Sequence, residues 1–282
     1  MTNPRLLPYL LLLPATLFLA FFFVMPFVQV AWLGLSTDGS FTLEHFRAMT
    51  SNWKFRPALT NTLLLGLIVV PIQLALALAM ASIVTGMGRG REVVLYIWTI
   101  PLGISDLAAG IVWLAILDQT GFLNSALYSL GLIDGHVNWL TYQNPWLLFA
   151  AVVVAEVWRA TAIMLVILVA GIGLIPKEYY EAAEVFGAGA WKRFVKVTLP
   201  LLKPSIQTAL ILRTILAFEV FAIVIALAGT NLPVLMGETY SWQFTMQRRG
   251  VAAAYALVIL GISIAFTLVF LLTLRTRDEQ RV

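Results

Sequence analysis

Residues 145–174 read PWLLFAAVVVAEVWRATAIMLVILVAGIGL. Only Glu156 and Arg159 carry charge in this apolar run. A helix needs about 20 mostly apolar residues to cross a bilayer, and this stretch is long enough. Its apolar residues are continuous rather than alternating, unlike a barrel strand with one face in lipid. Backbone crossing hydrocarbon must satisfy its own hydrogen bonds, which an isolated continuous run does only as an α-helix.

Five more stretches have the same character: Leu6 to Leu35, Ala58 to Val84, Val93 to Leu117, Ser205 to Ala228 and Val251 to Leu274. The expected fold class is therefore an all-α membrane protein with six transmembrane helices. Composition agrees. The 282 residues are 61% hydrophobic and 11% charged, with mean hydropathy +0.92, against about 25% charged in soluble domains. The first stretch is too long for the apolar region of a secretory signal and lacks a small-x-small cleavage site. It reads as an uncleaved span. No repeat, low-complexity segment or linker divides the chain, so residues 1–282 are expected to form one membrane domain.

The chain has no cysteine, which removes disulfides and thiolate metal sites. His45 and His136 are the only histidines and lie far apart, so no metal site is expected. The net charge of +4 does not argue for nucleic acid, because basic loops are general in inner-membrane proteins. Their distribution gives orientation. Arg5, Arg89, Arg91, Lys177, Lys192, Arg193, Lys196, Lys203, Arg275, Arg277 and Arg281 fall on one side. Arg47, Lys54, Arg56, Arg248 and Arg249 fall on the other. The excess marks the cytoplasmic side and puts both termini there, in a multi-pass protein of a bacterial or archaeal cytoplasmic membrane.

Between the fourth and fifth stretches, residues 176–188 read PKEYYEAAEVFGA. Pro176 suits the first position of a short helix and Gly187 the turn that ends it. Glu178, Glu181 and Glu184 form one acidic stripe at spacing three. Helices that lie on anionic lipid have basic polar faces. An acidic helix carrying the small residues Ala182 and Ala183 suits a protein-docking knob better. A second amphipathic stretch, Trp191 to Val197, precedes Pro200 and Pro204, which limit helix continuity.

Glu181-Ala182-Ala183, Gly187-Ala188, Phe194, Leu199-Pro200 and Pro204 resemble the EAA signature of ABC-importer permeases. In that family the segment corresponding to 176–204 is a coupling helix held in a groove of the cytoplasmic ATPase. The resemblance implies that Glu181 makes the charged contact and Gly187 the turn. Phe186 stands where the carbohydrate-type pattern often has Asp, which implies a more apolar contact. Similarity extends to Leu7–Leu13 with Pro14 and Pro26, to Asn61-Thr62 with Pro71, to Trp158, and to Arg213-Thr214 with Phe218 and Phe221. It is nearest to the first of the two permeases in maltose-type carbohydrate systems. The implied partners are a second permease, two ATPases that bind ATP and Mg, and an extracytoplasmic solute-binding protein. This chain has no G-x-x-x-x-G-K-[ST] phosphate loop and is expected to be a transport subunit, not an enzyme.

Charges within spans cost roughly 2.5–3.5 kcal/mol each on insertion scales. Here they are Asp106, Glu156, Arg159, Arg213 and Glu219, all in the three central stretches. Glu156 and Arg159 share a helical face, as an intrahelical pair or with Glu156 accepting bonds from solute hydroxyls. The resemblance implies that the position two before Trp158 lines the solute site. Arg213 is expected to snorkel or cap carbonyls near its span's cytoplasmic end. Glu219 and Ala222 stand where the family often has Arg and Asp. Trp113, Trp158, Phe218 and Phe221 offer aromatic faces for sugar C–H groups. The substrate pathway is thus expected to comprise Asp106, Trp113, Glu156, Trp158, Arg159, Phe218, Glu219 and Phe221. Besides a membrane anchor or assembly factor that moves no solute, two alternatives remain. One is an ABC permease for a polyamine or glycerophosphodiester. The other is a secondary transporter relaying protons through Asp106, Glu156 and Glu219.

Overall fold

A computed structural model describes residues 7–274. Leu6, both termini and the orientation charges Arg5, Arg275, Arg277 and Arg281 lie outside them. The first span comprises α1 (Leu7–Leu19) and α2 (Met25–Leu35), joined by a π-helical turn at Ala20–Val24. Pro14 and Pro26 do not end it. It is exposed over nearly its whole length, and among its described side chains only Gly34 is buried, where α2 packs on Ala253, Ala254 and Leu257. A two-stranded hairpin follows, β1 (Ser36–Thr37) and β2 (Ser40–Phe41). Asp38 and Gly39 both take positive φ, 51° and 80°, as a type I′ turn requires. His45 of α3 (Glu44–Ser51) fastens the hairpin, with Nε2 3.1 Å from the Ser36 carbonyl.

The second span is α4 (Phe55–Gly86), which carries Pro71 inside it. The third differs from expectation. Val93 to Leu117 is not one helix but α5 (Arg91–Thr99), a 3-10 turn at Ile100–Gly103 and α6 (Asp106–Leu117). Pro101 cannot donate its own hydrogen bond. Ser105 then restarts the helix by capping the Ala108 N–H at 3.2 Å. Asp106 therefore lies in a first helical turn, not in mid-span. A further short helix, α7 (Phe122–Ser129), opens the following loop and with α6 makes up the apolar helical stretch Asp106–Ser129. Buried Asn124 ties that loop together, donating to the Val137 carbonyl and accepting from the Val137 N–H and the Trp139 indole.

The quoted stretch is α8 (Pro145–Gly173), capped by Asn144. Next come α9 (Lys177–Val185), α10 (Ala190–Arg193), a π-helical turn at Phe194–Thr198 and α11 (Leu199–Leu201). Pro176 precedes α9 rather than opening it. The chain then bends by 68° into α12 (Lys203–Phe218). The fifth expected span, Ser205 to Ala228, is also interrupted. Glu219 to Phe221 separate α12 from α13 (Ala222–Ala228). After α14 (Leu235–Tyr240) and a π-helical turn at Ser241–Thr245, α15 (Arg249–Thr273) completes the bundle. Among the described residues, five helical stretches are long and apolar enough to cross a membrane, and the bent pair ending in α12 makes a sixth.

The core has three apolar clusters. One joins α4, α6, α8 and α13 around Leu65, Val152 and Ile223. Another joins α4, α8 and α12 around Ala77, Leu168 and Ala209. The third joins α3, α4, α14 and α15 around Met49, Leu235 and Tyr255. Gly66 lets Phe218 fill the space beside α4, because a Cβ there would lie 2.6 Å from its ring. Gly66→Val is expected to cost about 1–3 kcal/mol by overpacking. A lowered melting temperature, restored by adding Phe218→Leu, would bear this out; an unchanged one would show that the ring has room to move.

A buried charge network and the exposed α9 turn

Four of the five embedded charges, Asp106, Glu156, Arg159 and Arg213, meet inside the bundle. Arg213 is fully buried and donates from Nη2 to Glu156 Oε1 at 2.5 Å and from Nε to Gln73 Oε1 at 2.6 Å. Gln73 in turn donates to the Glu156 carbonyl at 2.9 Å. Arg159 bonds Asp106 Oδ1 at 2.7 Å and stands 3.8 Å from Glu156. One connected network therefore links α4, α6, α8 and α12. It corrects two expectations. Arg213 does not snorkel or cap carbonyls; a guanidinium with no water contact needs a carboxylate, and Glu156 supplies it. Glu156 belongs mainly to Arg213 across helices, not to Arg159 within α8.

Trp113 and Trp158 pack edge to face at 6.0 Å, on the helices that carry Asp106 and Glu156. Around them, Glu156 Oε2, Arg159 Nε, Arg213 Nη1, Trp113 Nε1 and the Thr214 hydroxyl are buried without a hydrogen-bond partner among the described residues. Such groups carry a desolvation cost of about 1–3 kcal/mol each.

The other expected pathway residues lie elsewhere. Phe218 is buried against Gly66 and Phe266. Glu219 is exposed at the α12–α13 break and lines a groove of about 510 Å³ with Met236, Thr239 and Ser263. Phe221 stacks on Tyr240 at 5.1 Å beside a cavity of about 380 Å³ that also contains Lys54 and Glu238. Burial holds the Glu238 carboxyl above its usual range, against the opposing pull of Lys54 at 3.9 Å. Sequence reasoning missed Gln73, because it sought charges and passed over an amide two residues after Pro71. Asn61 and Thr62 tie α4 to the loop before α14, through the Pro233 carbonyl at 2.8 Å and the Leu235 N–H at 2.9 Å.

At one end of the bundle, α9 ends in a Schellman turn. The Ala188 N–H bonds the Ala183 carbonyl at 2.9 Å, and the Gly187 N–H bonds that of Glu184 at 2.8 Å. Gly187 has φ +71°, strained for any side chain. The turn presents Val185 and Phe186 at 86% and 88% exposure, beside exposed Glu181 and Ala182; Ala183 is half-buried. A salt bridge from Arg193 to Glu184 ties α10 to α9.

Residues 73–277 match the family described as "Binding-protein-dependent transport system inner membrane component". The chain belongs to this family. It is 31% identical to the trehalose/maltose transport system permease protein MalF of Thermococcus litoralis, over 97% of this chain and 95% of that one. It is 33% identical to the sulfoquinovosyl glycerol transport system permease protein SmoG of Agrobacterium fabrum, over 97% and 92%. Its fold matches that in the crystal structure of a bacterial ABC transporter involved in import of the acidic polysaccharide alginate, with TM-score 0.81, 24% identity and 95% of each chain covered. This permease is a multi-pass inner-membrane component whose transport depends on a binding protein. Glu219 lines a groove that includes neither Asp106 nor Glu156.

Removing one partner of a buried ion pair costs about 3–5 kcal/mol, because the other charge is left uncompensated. Arg213→Met is expected to show that loss in thermal unfolding, and Glu156→Gln/Arg213→Met to recover most of it. A double variant as unstable as the single one would mean that the pair holds nothing beyond its own side-chain packing.

Proposed function

We propose that this permease pairs with a second permease to form the pathway of an ATP-driven sugar importer, with both termini cytoplasmic and residues 1–282 forming one membrane domain. The observation that carries the coupling is the exposed tip of α9. Glu181, Ala182, Ala183, Phe186 and Gly187 form a rigid knob with an acidic flank and an apolar end, suited to a groove on a partner. Two ATPase subunits that bind ATP and Mg would supply the energy, and this subunit has no ATPase site of its own. An extracytoplasmic binding protein would deliver the solute.

The sugar is supported by relatives named for trehalose/maltose and sulfoquinovosyl glycerol and by the chemistry of the network. Asp106 and Glu156 balance Arg159 and Arg213 in formal charge. A balanced site with spare donors and a spare acceptor suits hydroxyl groups, which do both. Trp113 and Trp158 add apolar faces. Glu156, Trp158, Arg159, Asp106 and Trp113 are thus the preferred solute-contact set. Glu219 and Phe221 suit the groove and outer cavity along the route, and Phe218 supports them from the core. The balance favours a neutral solute over a polyamine or a glycerophosphodiester.

The test is reconstitution of the purified permeases and ATPases in proteoliposomes with the binding protein. ATPase activity stimulated by loaded binding protein, with sugar accumulating inside, is the expected result. Glu181→Lys is expected to insert normally but lose ATPase co-purification and transport. Full transport by that variant would remove α9 from the coupling role.

A further inference from the structure

A cavity of about 620 Å³ lies not at the charge network but where α4 and α8 end and α5, α9 and α10 begin. Its lining includes Arg91, Lys177, Arg193, Tyr180, Thr85 and Thr198, and no carboxylate. Arg193 engages Glu184, whereas Arg91 and Lys177 have no carboxylate within salt-bridge distance among the described residues. Arg91 opens α5 and Lys177 opens α9, and neither first turn is capped by a side chain. Each first turn also carries one carboxylate, Glu92 or Glu178, outside the cavity lining, so the unpaired charges facing the cavity are those of Arg91 and Lys177. Like charges gathered around one space repel unless an anion joins them. Close in sequence to lining residues stand exposed apolar side chains: Ile83 follows Ser82, Val93 lies two positions after Arg91 and Leu174 falls between Gly173 and Ile175, at 58%, 62% and 83% exposure. An ordinary cytoplasmic excess of basic residues explains the sign of these charges but not their convergence on a cavity beside exposed apolar side chains.

We propose that this cavity binds a phosphate group, carried by the headgroup of an anionic phospholipid whose acyl chains lie along Ile83, Val93 and Leu174. Placing the cavity at the inner leaflet rests on the orientation proposed above; the phosphate chemistry does not. The bound lipid bridges the end of α8, the start of α5 and the coupling segment, and so ties the ATPase-facing helices to the membrane.

Native mass spectrometry of the assembled transporter, delipidated in detergent and titrated with phosphatidylglycerol or phosphatidylcholine, tests the site without using transport as the readout. The wild type is expected to retain phosphatidylglycerol preferentially. Arg91→Gln is expected to weaken retention about tenfold, the loss of one charge-assisted hydrogen bond, and Arg91→Lys to restore most of it. Lys177→Gln, at an exposed position, gives a second variant if Arg91→Gln does not assemble. Displacement of the lipid by inorganic phosphate, with phosphate binding lost in Arg91→Gln, upholds the site; phosphate binding without lipid preference moves its source to the cytosol. Equal phosphatidylglycerol retention by the wild type and both Gln variants overturns the proposal. So does unchanged retention with loss of ATPase co-purification, which would assign the cavity to a carboxylate of the ATPase.

Discussion

The Arg213–Glu156 ion pair constrains the bundle more tightly than any apolar contact. An apolar side chain can slide along a lipid-like interior at little cost, since hydrocarbon and protein core are similar surroundings. A guanidinium without water cannot do so. It must meet a carboxylate at hydrogen-bond distance, and Glu156 is that group. The pair fixes the axial register of α12 against α8. Gln73 extends the constraint to α4 by accepting from Arg213 and donating to the Glu156 backbone. Apolar clusters on either side of this layer supply packing area, and the layer sets their alignment.

The two broken spans show a related economy. Pro101 interrupts the third span just before Ser105 and Asp106, and the fifth breaks at Glu219, one residue after Phe218. Irregular backbone is tolerated at membrane depth only where protein or a polar cavity covers it. Near the first break the network supplies that cover, because Asp106 bonds Arg159 at 2.7 Å. At the second, Phe221 and Glu219 line a cavity and a groove. These interruptions are places where short helical segments can change direction without unwinding a whole span.

Much of the fold was legible because apolar length alone specifies a membrane helix. The stretches ending at Leu35 and Gly86 and that from Pro145 to Gly173 fell close to their expected places. The breaks were harder to see, because hydropathy does not register a lost backbone bond. Pro101 reads as apolar, and nothing in the Glu219–Phe221 sequence distinguishes a break from a tolerated charge. For the site, the sequence identified the embedded charges but not their pairing. The i, i+3 spacing of Glu156 and Arg159 pointed to a pair within one helix. The closer bond is to a residue 57 positions away, on a helix whose rotation only the assembled core determines. Gln73 was invisible for a simpler reason: an uncharged amide in a long apolar helix carries little weight until a buried arginine is seen to need it.

The arrangement also connects the knob to the network by covalent structure. Helix α8 runs from Glu156 to the start of the α9 segment, and α12 runs from the end of that segment to Arg213. At 1.5 Å per residue, the first arm is about 25 Å long and the second about 15 Å. Both halves of the central ion pair thus hang from the same peripheral element. A rigid displacement of α9 reaches Glu156 through a continuous helix. It reaches Arg213 through the 68° bend at Leu202, where motion can be absorbed or redirected. The two partners then need not move together, and their relative displacement acts on the bond least tolerant of stretching. In an importer that must change access at mid-depth, this geometry gives a force at the α9 end of the bundle a definite place to act.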